Sequence, residues 1–316
     1  MNEWDVAYMK AEDEIKELEK KYASVYAQAH KEVTEKAEAY FKGFEKRDKA
    51  MREMVKRGLM TDREYKRWRV NQMLMGERWI ALRDEIAASY TEANKLASEA
   101  VIGVLPVVYA ENYNYSNYVI SRLTKPDMSF TIHDRHTVDR LIKEEPNILP
   151  YKKVDGRKVE RWNRKKVSAA ITQSVIQGES IPNVAKRLRI VTDMNRRSSV
   201  RNARTAVTSA QNAGRLASYR DAEEMGIKVS KQWLATLDGR TRHQHRELDG
   251  QVVPNNEPFE NGFGEIMYPG DPEAAPANVY NCRCTLIPAI DGHAIDLSER
   301  VVGTGEDYES WKEAMR

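Results

Sequence analysis

The sequence predicts an α+β protein, in which a long, mainly helical N-terminal arm precedes a small C-terminal domain of helices and a short antiparallel sheet. The first 105 residues permit long helices, because all 11 prolines lie at or after Pro106. Apolar residues in that stretch recur every three or four positions, which is typical of amphipathic helices. Six of the prolines fall between Pro254 and Pro288, in a segment whose short β-branched and aromatic runs predict strands.

The arm is predicted to comprise residues 1–105, with a break near residues 58–61. Gly58 interrupts the helical pattern there, and Thr61 followed by Glu64 forms a capping box that opens a second helix. The two helices form either a hairpin or an extended arm. A helix of about 40 residues is roughly 60 Å long, which suits a spacer or self-association between copies of the chain. The apolar positions of the two helices include Ile15, Leu18, Tyr22, Val25, Ala29 and Val33, then Trp68, Trp79, Leu82 and Ile86.

Residues 106–159 are predicted to form an irregular linker rich in tyrosine. Its tyrosines either are exposed at a protein interface, because tyrosine buries a large area at low entropic cost, or pack on the arm, and the sequence leaves both open. They are Tyr109, Tyr113, Tyr115 and Tyr118. At the end of the linker, residues 153–159 around Asp155-Gly156 predict a short hairpin.

A separate C-terminal domain is predicted over residues 160–290, and residues 291–316 are expected to form a C-terminal tail. Its first part, residues 160–226, is predicted to contain three helices, with a break at Gly178 and a cap at Ser180. Its second part, residues 229–290, is predicted to form a short sheet with loops. The predicted strands lie at residues 232–237, 252–253 and 285–287.

The composition excludes several classes of protein. The 51 Lys and Arg residues against 48 Asp and Glu give a net charge of +3, which is too small to indicate nucleic-acid binding by itself. The longest uncharged apolar run, residues 100–110, is shorter than the roughly 18 residues of a membrane span, so no membrane association is expected. No basic-then-apolar signal peptide opens the chain. With only Cys282 and Cys284 present, a disulfide framework is excluded and a reducing compartment such as bacterial cytoplasm fits.

Positive charge is concentrated in residues 152–204. Eight basic residues against two acidic ones, and then seven against one, give each of two clusters a net charge of +6. This density suits contact with the phosphates of double-stranded DNA without sequence preference, because neutralised phosphates release counterions. A solvated basic surface is the alternative. The predicted DNA-contacting residues are Lys152, Lys153, Arg157, Lys158, Arg161, Arg164, Lys165, Lys166, Lys186, Arg187, Arg189, Arg196 and Arg197.

A candidate metal site is supplied by His245, Cys282 and Cys284. One imidazole nitrogen and two sulfurs are ligands that suit Zn²⁺, and His243 is a further candidate ligand. In the alternative, both cysteines are reduced and packed, and His245 is hydrogen-bonded to a carboxylate. No cofactor is expected from the sequence, and zinc is the one candidate.

The most informative motifs lie between residues 233 and 288. They are WLATLDGRTRHQHRELDG at residues 233–250, YPGDP at 268–272 and NCRCTLIP at 281–288, preceded by Ala203-Arg204-Thr205, Asn212, Gly214, Arg215 and Tyr219. In these motifs and their order the sequence resembles the Mu F-like phage head morphogenesis family, the minor head proteins of tailed bacteriophages, over about residues 160–290. Many members carry further cysteine and histidine ligands where this chain has Arg242 and Val279, so two of five ligand positions are missing here.

The same motifs predict that the DGRTR-H-LDG loop meets the NCRC strand in space. We expect their arginines to pair with aspartates and to hold the loops together where apolar side chains are scarce. The residues of this predicted clasp are Asp238, Arg240, Arg242, Asp249, Asp271 and Arg283.

The resemblance implies a non-catalytic minor structural protein of the phage head, taken up at procapsid assembly through contact with the portal protein. Such a protein assembles with capsid or scaffold proteins in the host cytoplasm. It then lies inside the virion near the portal vertex, close to the DNA, where it affects packaging or ejection.

Two alternatives remain from the residues themselves. A metal-dependent nuclease could be centred on the His-x-His motif, but no carboxylate cluster, glycine-rich phosphate loop or nucleophile elbow accompanies it in the sequence. A host-encoded DNA-binding regulator could be built on the helix-turn-helix-like segment at residues 178–188.

Overall fold

The computed structural model describes residues 5–74, 76–124, 130–149, 155–176, 181–294, 297 and 299–315. Within these limits the chain forms two compact units. Unit 1 comprises Met1–Glu19, Ala100–Lys152 and Arg201–Arg316, and unit 2 comprises Lys20–Glu99 and Lys153–Val200. This division differs from the predicted boundaries at residues 105, 159 and 290, because segments distant in sequence pack together.

Three helices form the N-terminal part: α1 (Val6–Lys56), α2 (Asp62–Leu74) and α3 (Glu77–Thr124). The predicted break is confirmed, since Gly58 adopts a φ of +72° after the end of α1. The predicted capping box is confirmed as well: Thr61 N donates to Glu64 Oε2 at 2.8 Å, and Glu64 N donates to Thr61 Oγ1 at 3.2 Å. The gap between α2 and α3, which contains Gly76, was not predicted.

The predicted irregular linker is wrong over residues 106–124, where α3 continues with Pro106 inside the helix. Buried residues continue at helical spacing on both sides of Pro106, and this packing outweighs the roughly 3 kcal/mol that an internal proline costs. The hypothesis of an exposed tyrosine interface is also wrong. The four tyrosines Tyr109, Tyr113, Tyr115 and Tyr118 are each no more than 3% exposed.

The predicted hairpin around Asp155-Gly156 is wrong over residues 156–159, which begin α5 (Gly156–Ile176). Asp155 Oδ1 accepts hydrogen bonds from the backbone N–H groups of Arg157 and Lys158, at 3.0 and 3.3 Å. Asp155 thus caps the first turn of a helix instead of starting a hairpin. Residues 153 and 154 lie outside the described residues.

The two helices predicted between residues 181 and 226 form one continuous helix, α6 (Ile181–Glu224). No turn separates residues 188 and 199, so the second helix of a helix-turn-helix motif is missing from this described stretch. The predicted break at Gly178 and cap at Ser180 lie outside the described residues. The segment from Ala203 to Ala222 carries the predicted small-residue face, and its alanines at 203, 210 and 222 are buried.

A four-stranded antiparallel sheet lies in unit 1, with strand order β2-β1-β5-β6. Its strands are β1 (Val229–Leu234), β2 (Val252–Val253), β5 (Thr285–Ile290) and β6 (His293–Ala294), and β3 (Phe259–Asn261) and β4 (Gly264–Ile266) form a separate hairpin. β1 pairs with β5 from Val229–Ile290 to Leu234–Thr285. The three predicted strands are therefore present, within a few residues of their predicted bounds.

Short helices complete unit 1: α4 (Arg135–Glu144), α7 (His243–Glu247), α8 (Pro276–Val279), α9 (Glu299–Val302) and α10 (Gly305–Ala314). The prediction of a C-terminal tail is wrong, because α9 and α10 contribute to the core. Val302 and Tyr308, both 0% exposed, pack in one cluster with Tyr115 and Tyr118. Thr304 and Asp307 form a capping box that begins α10.

Unit 2 is a helical unit with a polar network in its core. Asn195 Nδ2 donates to Asn163 Oδ1 at 3.0 Å, and Asn94 Nδ2 donates to Asn195 Oδ1 at 2.6 Å. These amides connect α3, α5 and α6 by hydrogen bonds. Amides of this kind between helices fix the register in which the helices pack. Among the described residues, no helix has the length and apolar character that crossing a membrane requires.

Candidate metal centre and clasp

His245, Cys282 and Cys284 come together in unit 1. His245 lies in α7, and the two cysteines lie in the turn before β5. Their side chains are buried, and their ligand atoms all lie within 4.8 Å of one another. His245 Nδ1 is 3.5 Å from the Sγ atom of each cysteine. The predicted meeting of the histidine-bearing loop with the NCRC segment is therefore observed.

The other ring nitrogen of His245 has a defined partner. Nε2 lies 3.0 Å from Oδ1 of Asn278 in α8, and that oxygen also accepts from Asn261 Nδ2 at 3.0 Å. The Nδ2 group of Asn278 is 3.4 Å from the carbonyl oxygen of Gly264, so its oxygen faces the imidazole. Nε2 must then carry the proton, which leaves the Nδ1 lone pair directed at the sulfurs.

The pKa values of the two thiols are shifted in opposite directions. A hydrogen bond between the sulfurs lowers the pKa of Cys284 and, with burial, raises the pKa of Cys282. The backbone N–H of Thr236 also lowers the pKa of Cys284, and the backbone N–H of Cys284 donates to Cys282 Sγ at 3.4 Å. Amide donors of this kind stabilise sulfur in its thiolate form.

An ion pair between Arg283 and Asp238 joins the two motifs of the predicted clasp. Arg283 Nη1 and Nη2 donate to the two carboxylate oxygens of Asp238 at 2.6 and 2.8 Å, a bidentate geometry. The Arg283 guanidinium holds the pKa of the Asp238 carboxyl well below its usual range. Arg240 is 3.7 Å from the same carboxylate and its side chain is 77% exposed, whereas Arg242 donates to the carbonyl oxygen of Tyr280.

The expected pairing of Asp249 and Asp271 with arginines is not observed. Asp249 Oδ1 accepts from the backbone N–H of Ala235 at 2.8 Å. Asp271 accepts from the backbone N–H groups of Met267 and Glu273, at 3.0 and 2.9 Å. Loop N–H groups without a strand partner need acceptors, and these two aspartates satisfy them. The structure also places His243 away from the sulfurs, since its side chain is 79% exposed and lies 3.2 Å from Glu247.

Arg215 forms a buried network that the sequence did not predict. Its guanidinium donates to Asp5 Oδ1 at 2.8 Å, to Asn112 Oδ1 at 2.9 Å and to the Leu286 carbonyl oxygen at 3.1 Å. The side chains of Arg215 and Asp5 are 3% and 1% exposed. This network joins the start of α1, α3, α6 and β5, and so fixes the strand that follows the cysteines.

The basic residues predicted to contact DNA lie on α5 and on the first part of α6, in unit 2. The exposed ones are Arg157, Lys158, Arg161, Arg164, Lys165, Lys186, Arg189, Arg196 and Arg197, whereas Lys166 and Arg187 are half-buried. Arg164 is engaged by Asp84 at 3.2 Å and by Glu160 at 2.8 Å, and Lys166 lies 5.5 Å from the ring centroid of Trp162. Lys152 and Lys153 lie outside the described residues.

Comparisons with known proteins match this region. A family model described as "Phage Mu protein F like protein" matches residues 165–287. The chain is 32% identical over 213 residues to "Minor head protein GP7" of Bacillus phage SPP1, which covers 67% of each chain. It is 31% identical over 149 residues to "NAD(+)--arginine ADP-ribosyltransferase EFV" of Enterococcus faecalis, covering 46% of this chain and 30% of that protein. It is 26% identical over 184 residues to "Uncharacterized protein YqbB" of Bacillus subtilis, covering 57% of each.

No solved structure matches the chain. The chain spans 67% of the SPP1 protein but only 30% of the ADP-ribosyltransferase and 57% of YqbB. The family match contains most of α5, all of α6, the clasp and the start of β5. Together with the similarity to the SPP1 minor head protein over two thirds of both chains, it shows that this chain belongs to the Phage Mu protein F like family of phage head morphogenesis proteins.

Proposed function

We propose that this protein is a non-enzymatic minor structural component of a tailed-phage head, incorporated at procapsid assembly through the portal protein. It lies inside the virion near the portal vertex, beside other capsid or scaffold proteins and the double-stranded DNA, and influences packaging or ejection. Family membership supports the role in the head. The exposed basic residues of α5 and α6 support the placement beside DNA.

The DNA contact is argued from charge and exposure. Arg161 and Lys165 on α5, with Arg196 and Arg197 on α6, are exposed and make no ion pair within the described part of the chain. Guanidinium and ammonium groups without an ion-pair partner can each neutralise a phosphate. A helix-turn-helix protein reads a base sequence with the second of two helices that a turn separates, whereas α6 is continuous. Contact with DNA without sequence preference is therefore favoured.

The test is the salt dependence of binding to a double-stranded oligonucleotide, measured by fluorescence anisotropy with the full chain. Neutralising Arg161, Lys165, Arg196 and Arg197 to glutamine should reduce the slope of log Kd against log salt by about 3.6, since each of the four lost phosphate contacts removes roughly 0.9. A salt-independent affinity would overturn the proposal.

A matched control removes the same charge from another helix of unit 2. Lys31, Lys42, Lys46 and Lys49 are exposed on α1, and their replacement by glutamine should leave the slope near the wild-type value. Equal effects of the two quadruple variants would show that only net charge matters and would contradict a DNA site on α5 and α6.

The incorporation route has a separate test. Co-expression with the portal, scaffold and major capsid proteins of the same phage should yield procapsids that contain this protein, and omission of the portal should abolish its incorporation. Equal incorporation without the portal would overturn the proposed route.

An enzymatic alternative comes from the relative named as an ADP-ribosyltransferase. The similarity covers 30% of that protein, so its named activity is a property of that longer chain. Incubation of this protein with labelled NAD⁺ and an arginine-rich acceptor should give no labelled product, and labelling would overturn the non-enzymatic assignment.

A further inference from the structure

The cluster of His245, Cys282 and Cys284 has the dimensions of a tetrahedral zinc site. With Zn–S bonds of about 2.3 Å and Zn–N bonds of about 2.05 Å, a tetrahedral centre separates nitrogen and sulfur by about 3.6 Å. Both observed Nδ1–Sγ distances are 3.5 Å. A single imidazole lone pair accepts one S–H along its axis, whereas a metal ion explains two sulfurs at equal distances from the same nitrogen.

The surroundings of the ligands fit a metal as well. Asn278 Oδ1 accepts from Nε2 of His245, which is the arrangement that holds a metal-binding histidine in the required tautomer. Asn278 is itself fixed by Asn261 and by the carbonyl oxygen of Gly264. The sulfur of Cys282 accepts a backbone N–H at 3.4 Å, which offsets the negative charge of a bound thiolate.

We propose that Cys282 Sγ, Cys284 Sγ and His245 Nδ1 bind one Zn²⁺, with Asn278 as the positioning residue and a water molecule as the fourth ligand. The ion then ties α7 to the turn before β5, beside the Asp238–Arg283 ion pair. The inference rests on the buried ligand cluster of unit 1 and is independent of DNA binding by unit 2.

The first test is elemental analysis of the untagged full chain purified without chelators. We expect about one zinc per chain, and titration of the metal-free protein with Co²⁺ should produce the charge-transfer absorption of cobalt–thiolate bonds. A folded wild-type protein that contains no zinc and binds no Co²⁺ would overturn the proposal, whatever the variants do.

Variants then assign the ligands. Cys284→Ser should abolish the cobalt–thiolate band, whereas His243→Ala, which removes an exposed histidine of the same helix, should retain the band and the full zinc content. Loss of zinc in His243→Ala, or its full retention in Cys284→Ser, would contradict the ligand assignment.

The role of Asn278 is tested by the Kd for zinc, measured by competition with a chromogenic chelator. Asn278→Leu removes the acceptor for Nε2 and should weaken binding by roughly 10- to 100-fold. Asn278→Asp keeps an acceptor and should restore most of the affinity. If the leucine variant is folded and binds zinc as tightly as wild type, Asn278 is not a positioning residue.

Discussion

A close contact between two helices of unit 1 yields a quantitative prediction. Gly214 of α6 faces α3, and a methyl group added at Gly214 would overlap the carbonyl oxygen of Tyr109 and stand 3.2 Å from the backbone N of Tyr113. These are backbone atoms, so no side-chain rotation can relieve the clash. The substitution Gly214→Ala should therefore separate α3 from α6.

The magnitude follows from two opposing effects. Overpacking a well-packed interface costs about 1–3 kcal/mol, and a contact with backbone of a neighbouring helix belongs at the upper end. Replacing glycine by alanine within a helix gains about 1 kcal/mol. The net loss should be about 2 kcal/mol, which lowers the melting temperature of a unit of this size by about 4–8 °C.

The assay combines thermal unfolding, followed by circular dichroism, with hydrogen exchange of peptides covering residues 105–120. Because the chain has two units and need not unfold in one step, hydrogen exchange assigns the loss to α3. Gly103→Ala is the control: it lies in α3 of the same unit, with no atom within 4 Å of the added methyl group, and should gain up to about 1 kcal/mol. If Gly214→Ala is as stable as wild type while Gly103→Ala behaves as expected, the close approach of α3 and α6 is wrong.

Three further predictions concern buried polar groups and a helix cap. Arg215→Met leaves the carboxylate of Asp5 buried without its ion pair and should cost about 3–5 kcal/mol in denaturant unfolding, part of which Asp5→Leu should restore. Burial lowers the pKa of His133, stacked at 3.8 Å on Tyr113, to about 4. The unfolded state therefore binds more protons, and stability is fully present above about pH 6.5 and falls toward pH 4; His133→Phe should flatten this dependence in melts across that range, and an unchanged slope would contradict it. Thr304→Ala removes the cap of α10 and should cost about 1 kcal/mol, measured as faster hydrogen exchange in residues 305–310, with unaltered exchange as the contrary result.

Local side-chain chemistry explains which elements were predictable. The break before α2 depends on Thr61 and Glu64, which satisfy each other's backbone N–H groups over three residues. The helical run through Pro106 was missed because burial of residues far along the chain outweighs a local penalty. Asp155 was assigned to a turn although it caps α5, since aspartate favours both positions.

The domain boundaries could not be predicted correctly, because they depend on packing between residues that are far apart in the sequence. The tyrosines of α3 gave no local sign of burial, because their partners Val302 and Tyr308 lie almost 200 residues later. Arg215 and Asp5 are separated by 210 residues, and either residue alone is typical of a solvated surface. Their pairing requires the folded arrangement of α1, α6 and β5.

The candidate site was predictable to the extent that its residues carry distinctive chemistry. Cysteine and histidine are the side chains that most often bind zinc, so the sequence identified His245, Cys282 and Cys284 as candidate ligands. An asparagine such as Asn278 is common in loops, and only its distance to Nε2 distinguishes it from the others. More Arg–Asp ion pairs were predicted from the sequence than the clasp residues form. The reason is that an aspartate in a loop can accept a hydrogen bond from an unpaired backbone N–H group as readily as from an arginine. Arg240 is 77% exposed and lies 3.7 Å from the Asp238 carboxylate, so its replacement should change the free energy of unfolding of unit 1 by less than about 1 kcal/mol.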